Sequence, residues 1–191
     1  MNFSSARRAA ITLARQKLAL HPLYLDTETT GLDSNSEIVE ICVIDDDEQV
    51  LFESLVKPTR GIPRDVIRIH GITDEMVKDA PACREVWPEV EAILAKRNVA
   101  IYNADFDLRM MQQSHARYWM QWNLPTNDVF CLMKLYAQFY GQWNSKYGSY
   151  KWQSLEAAGQ QCRIPLPNSH RAKDDVRLAR AVLHYVSAAS V

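Results

Sequence analysis

Leu23-Tyr24-Leu25-Asp26-Thr27-Glu28 is followed, after a turn marked by Gly31 and residues 33–36, by Ile38-Val39-Glu40-Ile41-Cys42-Val43-Ile44. The first run is apolar until it ends in acids and reads as a strand closing near Glu28. The second is rich in β-branched residues and reads as a second strand. The acidic run 45–48 then makes a hairpin turn, Val50 to Val56 returns as a third strand, and Pro58 closes the meander.

Downstream, a segment punctuated by Pro63, Gly71 and Pro81 is expected to hold short helices. A longer helix is predicted over 84–96, with Pro88 near its beginning, then a brief buried strand at Val99-Ala100-Ile101-Tyr102. Asp105 to Tyr118 reads as helix. Asn127-Asp128-Val129 reads as a last short strand feeding a helix through Tyr140. An aromatic, polar loop (141–150), a short helix around Leu155 and a final helix over 174–186 complete the chain. Three antiparallel strands followed by alternating helix and strand predict an α/β domain built on a mixed sheet. The expected sheet has five strands, three antiparallel and then two parallel, with flanking helices. That is the element order a ribonuclease H-like fold needs.

Residues 1–20 carry Arg7, Arg8, Arg15 and Lys17 but no acid. Their spacing predicts an amphipathic surface helix, with Phe3, Ala6, Ala10, Leu13 or Ala14, and Leu18 turned to the core. It is expected to belong to the same domain as residues 21–191. A mitochondrial transit peptide is the alternative reading of this segment.

The 191 residues suffice for one domain with a substantial core. Hydrophobic residues make up 47% and charged residues 24%, values that fit an ordinary globular protein. A net charge of −1 means that any polyanion must be met by a local basic patch or by metal ions. Cys42, Cys83, Cys131 and Cys162 form no C-x-x-C pair and are expected to pack as small apolar residues. The expected setting is therefore reducing and cytoplasmic. No apolar run approaches the roughly 18 residues of a membrane span.

Asp26 and Glu28 alternate with Thr27 along one strand, so both carboxylates share a face. Asp107 falls at a helix beginning and Asp175 in the first turn of the final helix, where the helix dipole favours anions. His170 precedes that helix in a loop opened by Pro165 and Pro167. A D-x-E pair alone is usually solvated surface, and a lone histidine usually a bystander. Together, four carboxylates and one imidazole are what two hard divalent cations and a water-activating base require. The set points to hydrolysis of a phosphodiester.

These words resemble the DEDDh group of 3′-to-5′ exonucleases, which includes the proofreading subunit of bacterial DNA polymerase III, ribonuclease T and oligoribonuclease. The first motif is Leu25-Asp26-Thr27-Glu28-Thr29-Thr30-Gly31-Leu32, the second Asn103-Ala104-Asp105-Phe106-Asp107, and the third runs from His170 to Asp175. Ile69-His70-Gly71-Ile72-Thr73 is a further family-like word, and the resemblance covers residues 23 to 186. It implies that Asp26, Glu28, Asp107 and Asp175 bind two magnesium or manganese ions, with His170 as general base. Asp105 and Asp174 are neighbours rather than ligands. The resemblance also implies that the Thr29 backbone, Leu32, His70, Asn103 and Phe106 surround the terminal nucleotide. Tyr102 departs from the histidine many relatives carry, for which a local packing change is expected. The first motif looks more like the proofreading type, so the 3′ ends of single-stranded DNA are favoured over RNA. Trimming of RNA 3′ ends is the alternative activity. A homodimer, or a polymerase or repair partner, is possible by the same resemblance.

The stretch 140–152 interleaves aromatics with lysines. Trp143 and Trp152 are expected to anchor the loop to the core, the alternative being the border of a substrate groove. Tyr118, Trp119 and Trp122 are expected to pack a helix end, and Arg171 and Lys173 to face phosphate. Two other readings carry no nuclease chemistry. Residues 26–37 partly imitate a calcium-binding EF-hand loop, but a β-like run follows Glu37. A catalytically silent nucleic-acid-binding module is opposed by the complete set of catalytic residue types.

Overall fold

The computed structural model describes residues 3–124 and 126–190. Its element order is α1 (Phe3–Leu18), β1 (Leu23–Thr29), β2 (Ile38–Ile44), β3 (Val50–Leu55), α2 (Arg64–His70), α3 (Asp74–Val77), α4 (Cys83–Leu94), β4 (Asn98–Ile101) and α5 (Ala104–Arg117). Then follow β5 (Asp128–Cys131), α6 (Leu132–Tyr140), β6 (Trp143–Asn144), β7 (Ser149–Tyr150), α7 (Leu155–Gln161) and α8 (Ala172–Ala188). The main sheet has the order β3-β2-β1-β4-β5. β1 pairs antiparallel with β2, and β2 with β3; β1 pairs parallel with β4, and β4 with β5. The expected α/β architecture and mixed five-stranded sheet are present. The stretch expected as a plain loop differs, because β6 and β7 pair there as a small separate hairpin.

Alternation along β1 divides the core. Tyr24 joins the cluster formed with Ala10, Ile11 and Ala14 of α1, Leu135 of α6 and Val182 of α8. Leu23 and Leu25 face the opposite layer, with Val90 of α4 and Met110 and Met111 of α5. β2 is buried throughout, as its β-branched run demands. The Phe3 side chain lies outside the described residues. Ala6 is buried with the rest of the α1 stripe, whereas Leu13 is exposed, so Ala14 is the residue that fills the position.

Helix register brings carboxylates inward. α5 buries Ala104, Asp107, Met110, Met111 and Ser114, and α8 buries Ala172, Asp175, Ala179, Val182 and Val186. Those are i, i+3, i+4 and i+7 positions of one stripe. Each helix therefore presents an acid from its first turn to the edge of the sheet where β1 and β4 end. No helix among the described residues is long and apolar enough to cross a membrane.

Candidate active site

β1 delivers Asp26 and Glu28 from its carboxyl-terminal half, partly exposed and on one face. α8 brings Asp175 to the same place, 6% exposed. One carboxylate oxygen from each of the three lies within 4.8 Å of the others. Asp175 Oδ1 is buried and has no hydrogen-bond partner, an acceptor left unsatisfied by protein groups.

Asp107 approaches from the other layer of the sheet. Its Oδ1 accepts the Thr27 hydroxyl at 2.8 Å, and only 2% of the residue is exposed. It stands outside the three-oxygen cluster, yet its charge acts on both Asp26 and Glu28. Four carboxylates in so little space resist ionisation together. Burial, reinforced by Asp107, Glu28, Asp175 and Glu40, holds the Asp26 carboxyl well above the usual carboxylate range. Burial and then the Asp175, Glu40 and Asp107 charges push Glu28 up to about 8. Asp175 is pushed up to about 6 by burial, against the pull of His170. Burial also raises Asp107, which the Thr27 hydroxyl partly offsets.

His170 stands at the mouth of this group. Its side chain is 50% exposed and its Nδ1 lies 4.0 Å from Asp175 Oδ2. The loops that deliver α5 and α8 each hold a non-glycine residue in the left-handed region, Asn103 at φ 67° and His170 at φ 52°. Asp105 and Asp174, the neighbours set aside in the motifs, turn elsewhere: Asp105 pairs with Lys134 at 2.6 Å, and Asp174 accepts from Ser169 at 2.6 Å.

Beside the acids opens a cleft of about 520 Å³, lined among others by Thr29, Leu32, Ile69, His70 and Phe106. Leu32 is 76% exposed, an apolar side chain without a protein neighbour to cover it. His70 is buried; its Nδ1 accepts the Ile72 N–H at 3.0 Å, which leaves Nε2–H to donate to the Thr29 carbonyl at 3.2 Å. His70 thus fixes the backbone of the cleft wall. Asn103 is not part of the lining, and its side chain makes no capping bond to α5. Tyr102 is buried, with its hydroxyl donating to the Gln153 and Ser154 carbonyls at 3.0 and 3.3 Å.

Three expectations are corrected. Arg171 and Lys173 do not stand free for phosphate: Arg171 pairs with Glu40, and Lys173 with Glu53 at 2.7 Å. Trp143 and Trp152 do not anchor their loop in the core, being 50% and 60% exposed. Trp119 does not pack the helix end, at 95% exposed, although Tyr118 and Trp122 do pack against the core. The strand after Glu37 removes the EF-hand reading, and the Glu37 carboxylate accepts the Thr59 N–H and hydroxyl. Sequence reasoning missed Glu40. Its signal was visible: a single charged residue inside a strand whose other residues are all apolar.

The RNase_T family model, described as an exonuclease, matches residues 23–183. An uncharacterized exonuclease of Escherichia phage 186 is 37% identical over 171 residues, covering 84% of this chain and 85% of the relative. The PolC-type DNA polymerase III of Thermotoga petrophila is 33% identical over 173 residues; the match covers 85% of this chain but 12% of that protein. Among solved structures, Exonuclease X in complex with 5′ overhanging duplex DNA superposes with a TM-score of 0.64. It is 27% identical, covering 86% of this chain and 89% of that one.

Proposed function

The chain belongs to the RNase_T exonuclease family, and from that premise we propose that it removes nucleotides from the 3′ ends of single-stranded DNA. The observation that carries this reading is the meeting of carboxylate oxygens of Asp26, Glu28 and Asp175 within 4.8 Å of one another, where Asp175 also carries a buried oxygen without a hydrogen-bond partner. Such an arrangement is unfavourable for a bare protein and suits a cation site. An all-carboxylate donor set fits hard divalent cations, magnesium or manganese, rather than softer metals. Asp26, Glu28, Asp107 and Asp175 would hold two such ions. When bound, the pair supplies charge stabilisation to the attacking and leaving oxygens of an in-line displacement.

The protein's own groups do the rest. The His170 imidazole, half-exposed at the mouth of the acidic group, takes a proton from the attacking water. Asp175, 4.0 Å away, favours the imidazolium so formed. Water adds to phosphorus and the bond to the preceding 3′ oxygen breaks, that oxygen taking a proton from solvent; the products are a nucleoside 5′-monophosphate and a shortened strand ending in a 3′-hydroxyl. The terminal nucleotide occupies the cleft, where Leu32 and Phe106 offer apolar contact and the Thr29 backbone offers polar contact. Asn103 acts there through the turn that starts α5. The packing of Ala10, Ile11 and Ala14 in one cluster with α6 and α8 supports reading the helix α1 as part of the same domain.

DNA is favoured because Exonuclease X was solved with a DNA duplex bearing an overhang. Likeness to a PolC-type polymerase supports association with a polymerase or repair partner. Chelation tests the reading. EDTA is expected to silence degradation of a single-stranded oligonucleotide, with magnesium or manganese restoring it. Activity indifferent to chelation would overturn the cation site.

A further inference from the structure

The hairpin β6–β7 and the residues that follow it carry exposed rings and cations. Tyr147 is 71% exposed, Trp152 60% and Trp143 50%. Trp143 turns an edge toward Tyr150, its cross-strand partner, with centroids 5.2 Å apart. Tyr147 and Trp152 instead line a depression of about 470 Å³ together with Lys151. The Lys146 ammonium lies 5.3 Å from the Tyr147 ring centre. Among the described residues, neither Lys146 nor Lys151 has an acidic partner. Large rings grouped in solvent beside unpaired ammonium groups mark a binding surface better than a structural anchor.

The base of the hairpin is tied to the active site. Gln153 and Ser154, directly after Trp152, accept the Tyr102 hydroxyl through their carbonyls. In the parallel β1–β4 pair Leu25 lies opposite Ile101, so Tyr102 comes level with Asp26. Tyr24 and Tyr102 belong to the same core cluster, and alternation puts Asp26 on the Tyr24 side of β1. The hydrogen bonds from Tyr102, the residue that follows β4, therefore tie the base of the hairpin to the face where Asp26 and Glu28 stand.

We propose that the β6–β7 hairpin holds the single strand of nucleic acid just upstream of the scissile nucleotide, a proposal that rests on the nuclease reading above. Tyr147 and Trp152 stack on successive bases, and Lys146 and Lys151 meet the phosphates between them. Stacking of this kind tolerates any base, as trimming ends of any sequence requires.

Affinity for fluorescein-labelled oligonucleotides of two and twelve nucleotides tests it, measured with magnesium in a His170→Ala background so that the strand survives. The twelve-mer is expected to bind more tightly than the dinucleotide. Trp152→Ala should weaken the twelve-mer by roughly 5- to 100-fold and the dinucleotide far less. Lys151→Ala should flatten the salt dependence of twelve-mer binding by about 0.7 in log–log slope. Trp119→Ala, which removes an exposed ring elsewhere, should leave the length preference intact. Unchanged twelve-mer affinity in both Trp152→Ala and the Tyr147→Ala/Trp152→Ala double variant would overturn the assignment, as would equal affinity for the two lengths. Hydrolysis by the unaltered protein is scored separately, since its absence would refute the nuclease reading and not the hairpin.

Discussion

Arg171 closes a two-pronged ion pair onto Glu40, its Nε lying 3.1 Å from both carboxylate oxygens and its Nη2 2.5 Å from Oε1. The Ala172 N–H adds a bond to Glu40 at 2.9 Å. Glu40 lies directly opposite Glu28 in the β1–β2 pair, so a fifth carboxylate beside the acidic cluster is neutralised there. The same contacts pin the first turn of α8 to the sheet. His170 precedes that turn and Asp175 lies within it.

Arg171→Ala should therefore do more than remove a surface charge. Breaking a buried pair is strongly destabilising because it strands the remaining charge, and Glu40 is only 3% exposed. The Arg171 side chain is 40% exposed, so solvent screening discounts the effect. Urea denaturation should show a loss of roughly 1–3 kcal/mol. The kcat should fall more than KM changes, because His170 loses its fixed approach; unchanged kcat would show that the pair only stabilises the fold.

Without divalent metal, stability should fall as pH rises. Glu28 moves from 4.5 in the free state to about 8, and Asp175 from 3.8 to about 6. A carboxyl raised on folding keeps its proton longer in the native state, so the native state binds more protons than the unfolded chain in this window. The sign follows: between about pH 4 and pH 8 each step upward favours unfolding. Thermal melting in EDTA should show a decline across that window, and magnesium should raise the midpoint more at pH 8 than at pH 5. A flat profile in EDTA would contradict the clustering of ionised groups.

Thr27→Val keeps the shape of a buried side chain while removing the hydroxyl that Asp107 accepts at 2.8 Å. That hydrogen bond lowers the Asp107 carboxyl against the upward push of burial. Its loss should destabilise the fold by about 1–3 kcal/mol. The acid limb of the kcat/KM profile should also move to higher pH, since Asp107 would ionise later. A limb that stays in place would separate Asp107 from catalysis.

Much of this architecture could be read before any coordinates. The β-branched run at Ile38–Ile44 and the alternation ending in Asp26 and Glu28 specify buried strands, and every main-sheet strand formed within about two residues of expectation. The acids were legible because their strand and helix periods force them to the sheet edge. Exposure of Trp143, Trp152 and Trp119 was not legible, since a large ring packs in the core in most contexts and composition does not say which way a loop faces. The Arg171–Glu40 pair was hidden for another reason: it joins residues distant in the chain, and only the β2–α8 approach brings them together.

The most direct test uses 5′-labelled single-stranded DNA with magnesium, resolved by length over time. The account predicts a ladder of labelled products shortening one nucleotide at a time from the 3′ end. Asp26→Ala and His170→Ala, each still folded by circular dichroism, should slow that ladder by at least about 100-fold. Immediate release of a labelled mononucleotide, or an undiminished ladder from both variants, would contradict it.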